Sequence, residues 1–88
     1  MNTDFASSFD NDVKKIMDAK FVEKVNQAIE ATENAQSKKE IPHLQKLKGY
    51  KMFYRIKIGK FRIGVSIVGE LVTFLRFLPR KDFYKYFP

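Results

Sequence analysis

No cysteine occurs among the 88 residues. That excludes disulfide frameworks, zinc ribbons, thiol nucleophiles and redox relays, and it is compatible with a reducing compartment. No stretch approaches the roughly 18 to 20 apolar residues needed to cross a bilayer. The opening MNTDFASSFDND lacks the basic and apolar regions of a signal peptide. A cytoplasmic protein with no membrane partner is the expectation. The single histidine, His43, stands in a polar connector without a second ligand or a nucleophile nearby. No Ser-His-Asp set can therefore be assembled, and neither a glycine-rich phosphate loop nor a two-metal carboxylate cluster is visible. No metal and no cofactor are expected. The length suits one domain spanning residues 1–88.

Carboxylates are also missing from a long stretch: none occurs between Glu40 and Glu70. Residues 1–40 hold six lysines against eight acids, whereas residues 41–88 hold eleven Lys or Arg against Glu70 and Asp82. The overall net charge of +7 is thus the sum of a nearly neutral part and a strongly basic one. Such a field attracts polyanions or an acidic protein.

The apolar residues that are present define an α+β fold. Ser7 and Ser8 are N-cap candidates for a helix whose face carries Phe9, Val13, Ile16 and Met17. A short strand over residues 3–6 is expected before it. A second amphipathic helix carries Phe21, Val22, Val25, Ala28 and Ile29 on one stripe. The brief junction at residues 17–19 makes the two helices a hairpin. From Tyr50 the apolar period falls to two. Gly59-Lys60 and Gly69-Glu70 then read as two-residue turns linking three antiparallel strands.

Counting back from these turns places Tyr50, Met52, Tyr54, Ile56, Ile58, Phe61, Ile63, Val65, Ile67, Val72, Phe74 and Leu78 on the face that the helical hairpin covers. Arg76 falls on that face too, where it pairs with a helix acid unless a bulge turns it outward. The opposite face receives Lys51, Phe53, Arg55, Lys57, Arg62, Gly64, Ser66, Leu71, Thr73, Leu75 and Phe77, with Lys57 directly across from Arg62. Like charges in that arrangement weaken a strand pair, so folding alone does not account for them and an anion in front of the sheet does. Arg80 is expected to come down at the same end, and Gly64 to leave room for a ligand. Arg80, Lys81, Tyr84, Lys85 and Tyr86 stand among the C-terminal aromatics, where they read equally well as phosphate-binding and stacking groups or as ordinary packing residues. A cation cluster of this kind suits metal-free RNA cleavage, in which the 2′-OH attacks its own phosphate and the enzyme orients that attack and stabilises the charge.

The order KLKG, YRIKIGKFRIGV, VTFLRF and PRKDFYKYF after a helical hairpin beginning SFDNDVKKI resembles the RelE/ParE superfamily of toxins from type II toxin–antitoxin systems. The resemblance implies an N-terminal helical hairpin packed on one face of a small antiparallel sheet. It implies a cognate antitoxin partner, with assembly into higher-order complexes open to it. A RelE-type member would cleave mRNA in the ribosomal A site and inhibit translation. On that reading Lys57 is the base or charge stabiliser, Arg62 a phosphate clamp, Arg80 a charge stabiliser or proton donor to the leaving oxygen, and Tyr84 a stacking group. Arg55, Lys51, Lys81, Lys85 and Tyr86 would contact RNA. Pro79 stands where related sequences often carry histidine. The alternatives implied by the same resemblance are a ParE-type protein that poisons DNA gyrase without catalysis, and an inactive member that binds only its antitoxin.

Overall fold

The computed structural model describes residues 1–16 and 18–88, so the assignment of Met17 to the first helix face and to the inter-helix junction lies outside the described residues. These residues form β1 (Asn2–Phe5), α1 (Ser7–Lys14), α2 (Ala19–Asn34), β2 (Leu44–Lys46), β3 (Phe53–Ile58), β4 (Phe61–Val68), β5 (Leu71–Pro79) and α3 (Arg80–Tyr86), with a 3-10 turn at Lys38–Glu40. The sheet order is β1-β5-β4-β3-β2. β1 runs parallel to β5 and the other pairs are antiparallel, so the sheet is mixed rather than purely antiparallel.

Both two-residue turns stand where the sequence puts them, with Ile58 opposite Phe61 and Val68 opposite Leu71. Gly59 and Gly69 take positive φ of 54° and 58°, the backbone that such hairpins require at their first turn position. Tyr54, Ile56, Ile58, Phe61, Ile63, Val65, Ile67, Val72 and Phe74 are buried beneath the helices with Phe9 and Val25. Tyr50 and Met52 are not: β3 begins only at Phe53, and these two side chains remain 46% and 44% exposed in the loop before it. The N-cap of α1 is Ala6, not Ser7 or Ser8. Ser8 instead donates its Oγ to the Leu75 carbonyl at 2.6 Å.

A β-bulge corrects the register of β5. Val65 still faces Phe74, but Gly64 faces Arg76, which leaves Leu75 as the extra residue. From there Phe77 turns into the core, 2% exposed, and Leu78 turns to the opposite face, reversing the alternation that counting from the turn predicts. The physical reason is strong. Burying a Phe side chain contributes about 1.5–3 kcal/mol, whereas an unpaired buried guanidinium costs more than that. Arg76 reaches Asp12 of α1 instead, Nε to Oδ2 at 2.7 Å and Nη2 to Oδ1 at 3.2 Å. Oδ2 also accepts the Phe77 backbone N–H at 3.0 Å. The Asp12 partner raises the Arg76 pKa above its ordinary value despite partial burial. Because β1 covers only Leu71–Phe74, Ser8 and Asp12 take over the hydrogen bonding of the β5 edge beyond it.

The face away from α1 and α2 carries a second apolar cluster. Leu47, Phe83 and Phe87 are buried there against Phe53, Leu75 and Leu78. Phe83 and Phe87 come from α3 and the residue that ends it. Gly64 therefore does not hold space for a ligand: a Cβ built on it would meet Cγ, Cδ1 and Cε1 of the Phe87 ring at 2.8 Å. Gly64→Ala is expected to displace that ring and destabilise the protein by about 1–3 kcal/mol through overpacking, read as a lower urea midpoint and faster tryptic cleavage after Lys81 and Lys85. Unchanged stability would contradict the packing.

Candidate functional site: a cation cluster beside the β3–β4 turn

The β3–β4 hairpin sets Lys57 across from Arg62 and Arg55 across from Gly64. Arg62 is only 7% exposed, an unusual position for arginine. Its Nη1 donates to the carbonyls of Gly59 at 2.8 Å and Phe61 at 2.9 Å, so the side chain staples the turn. Burial pushes its pKa below the ordinary value, and the charges of Arg55 and Arg80 push it the same way, while Tyr84 opposes them.

Arg55 is half-buried and is held by a hydrogen bond from its Nη2 to Oε1 of Gln45 on β2. Lys57 is exposed, and its backbone N–H donates to the His43 carbonyl. Arg80 opens α3, fixed by its own N–H to the Lys60 carbonyl at 2.8 Å, with its side chain exposed. Lys60, Phe61, Pro79, Arg80 and Lys81 line an open hollow there. Tyr84 is 62% exposed, edge-on to the buried Phe83. The single turn of helix between Arg80 and Tyr84 is thus anchored by Phe83 while it offers a cation and a phenol to solvent.

Not every sequence-derived candidate joins this cluster. Lys51 precedes β3 at the end remote from the Gly59-Lys60 turn, outside the strand pair that sets Lys57 across from Arg62. Tyr86 is 60% exposed on the last turn of α3. Lys85 is exposed on the last turn of α3. Sequence reasoning missed Gln45, because β2 was read as irregular connector, and Lys60, because it was read only as a turn residue.

Among the described residues one ion pair is present, Arg76 with Asp12, so the cations of the cluster have no carboxylate of their own. The arrangement can hold an anion and stabilise added negative charge on it. Sulfate is therefore expected to raise the melting temperature over chloride at equal ionic strength. With ten times its Kd present, the gain is about 1.4 kcal/mol, or roughly 6–11 °C for a domain this small. The increment should shrink in Arg80→Gln, which separates site binding from general salting. An equal rise in both proteins would contradict an anion site.

Two helices on one face of a mixed sheet, and a cation cluster beside a C-terminal helix on the other, define a small α+β domain with a basic outer face. A family model described as the ParE toxin of type II toxin–antitoxin system, parDE, matches residues 4–84. The chain is 35% identical over 85 residues to Toxin RelE3 of Methanocaldococcus jannaschii, covering 96% of each. It also matches the toxin fold in the crystal structure of the RelB-RelE antitoxin-toxin complex from Methanococcus jannaschii, with TM-score 0.82 and 34% identity over 97% of this chain and 99% of that one. The YoeB dimer from Staphylococcus aureus is similar in fold alone, with TM-score 0.72 at 18% identity over 89% of this chain and 94% of that one. This chain belongs to the ParE toxin family of type II toxin–antitoxin systems, within the RelE/ParE superfamily. Among the described residues no helix is long and apolar enough to cross a membrane.

Proposed function

We propose that this toxin is a RelE-type endoribonuclease that cleaves mRNA on the ribosome, acts in the cytoplasm as a single domain over residues 1–88, and inhibits translation. The observation that carries the reading is the convergence of Arg55, Arg62 and Arg80 with Tyr84 around a hairpin that also presents Lys57. The 2′-oxygen attacks its own phosphorus, the P–O5′ bond breaks, and the products are a 2′,3′-cyclic phosphate and a 5′-hydroxyl. Lys57 takes the 2′-OH proton or balances its charge. Arg62 and Arg80 stabilise the charge that grows on the phosphoryl oxygens, with Arg80 nearest the leaving oxygen and able to protonate it. Tyr84 stacks on a base. Arg55, Lys81 and Lys85 track the strand, with Lys51 and Tyr86 at its periphery.

A cognate antitoxin is the protein partner. Similarity to the toxin of a RelB-RelE complex supports this, and its segment would cover the basic face or replace the C-terminal residues. The test is a defined message incubated with and without programmed ribosomes, its 5′ ends mapped by primer extension. Discrete cuts with ribosomes are expected. Intact message with lost gyrase supercoiling would favour the second reading, a gyrase poison, to which the ParE description of the matching family lends weight.

A further inference from the structure

Phe21, on the first turn of α2, wedges against the β3–β4 turn. Its ring meets Phe61 edge-on at 4.9 Å, and its Cε1 lies 3.4 Å from where a Gly59 Cβ would stand. Three ammonium groups converge on this one ring: Lys60 Nζ at 5.5 Å from the centroid, Lys24 at 5.7 Å and Lys20 at 5.8 Å. One lysine is enough to cover a half-buried phenyl ring. Three from two elements repel one another, and among the described residues no carboxylate lies within ion-pair distance of any of them. The lysines continue into the cation cluster on both sides. Lys60 shares the hollow with Arg80 and Lys81, while Lys24 shares another with His43 and Lys57.

We propose that Lys20, Lys24 and Lys60 form a docking surface for a phosphodiester backbone, beside the residues that face the scissile phosphate and continuous with them through Lys60. This deepens the ribonuclease reading and rests on it for the identity of the polyanion as RNA. Charge alone is what this surface offers. Among the described residues the exposed large apolar side chains, Phe5, Tyr50, Met52, Val68, Leu71, Tyr84 and Tyr86, all lie elsewhere. Peptide partners are held largely by apolar anchors, whereas a nucleic-acid backbone is held by neutralised phosphates and released counterions.

The test uses the full chain and a single-stranded 2′-O-methyl RNA, which cannot be cut by its own 2′-oxygen. Binding is followed by fluorescence anisotropy from about 50 to about 200 mM KCl. The variant Lys20→Gln, Lys24→Gln, Lys60→Gln is compared with Lys14→Gln, Lys15→Gln, Lys39→Gln, which removes the same charge from other surfaces. The first variant is expected to flatten the slope of log K against log salt by about 2, from three contacts at roughly 0.7 each. It should also bind about tenfold more weakly at low salt, while the second keeps the wild-type slope. Equal changes in both variants, or none in the first, overturn the proposal. Stronger binding of an oligo-glutamate than of the RNA, lost in the first variant, also overturns it and reassigns the surface to an acidic protein. A wild-type protein that leaves ribosome-bound message intact yet shows the slope difference keeps the surface and refutes only the ribonuclease reading.

Discussion

Replacing Arg80 with alanine is expected to leave a folded protein that no longer arrests growth. Single-turnover cleavage should fall by about 10²–10³-fold, the scale on which one preorganised charge stabiliser acts. Stability should move by no more than about 0.5 kcal/mol, as for other surface substitutions, because the Arg80 side chain is exposed and the bond that fixes the residue to Lys60 is made by its backbone N–H. Arg62→Ala provides the contrast. It loses the same kind of charge but also two hydrogen bonds to the Gly59 and Phe61 carbonyls, so it should lower both activity and stability. Growth arrest by an Arg80→Ala protein at the wild-type level, or loss of its fold, would contradict the placement of this residue.

Asp12→Ala should produce the largest loss of stability. The carboxylate is 6% exposed and serves three donors: Nε and Nη2 of Arg76 and the backbone N–H of Phe77. Removing it leaves a half-buried guanidinium and a buried N–H without partners. Breaking a buried pair costs roughly 3–5 kcal/mol, and solvent contact at Arg76 brings the expectation to the lower end, about 3 kcal/mol. A domain of ordinary stability has only about 5–15 kcal/mol in all. The double variant Asp12→Ala, Arg76→Met should recover part of the loss, since the stranded charge is gone while the Phe77 N–H remains unpaired. Urea unfolding measures both, and a single-variant loss below about 1 kcal/mol would show that the β5 edge does not depend on α1.

The meander was legible because glycine turns and period-two alternation fix register together. Ile58 opposite Phe61, Lys57 opposite Arg62 and Arg55 opposite Gly64 all follow from them. Arg76 was legible as an anomaly: a cation on a core face demands a partner or a bulge, and the protein uses both. The consequence for Phe77 and Leu78 was not, because nothing local marks which residue of β5 is left unpaired. The short strand expected over residues 3–6 is β1, one residue earlier at Asn2–Phe5, whereas β2 is three residues long, too short for periodicity to register. α3 spans seven residues with no side-chain cap. Its anchors Phe83 and Phe87 are four apart, the helical spacing, yet they sit among lysines and tyrosines that read equally well as an irregular basic tail. Missing α3 also hid the burial of Arg62 and the filling of the Gly64 hollow by Phe87.

The division of labour on the outer face follows from that helix. Phe83 and Phe87 hold it against the sheet, and Arg80 and Tyr84 thereby come to Arg62. The chemistry proposed for this cluster depends on the substrate's own 2′-hydroxyl. Programmed ribosomes should therefore be loaded with a message that is all ribose, or with one carrying a single 2′-deoxy nucleotide at the mapped cut, and the 5′ ends of the products read by primer extension. The all-ribose message is expected to be cut to a 5′-hydroxyl end and the deoxy message to stay whole. Cleavage of both, or of neither by a folded protein, would contradict it.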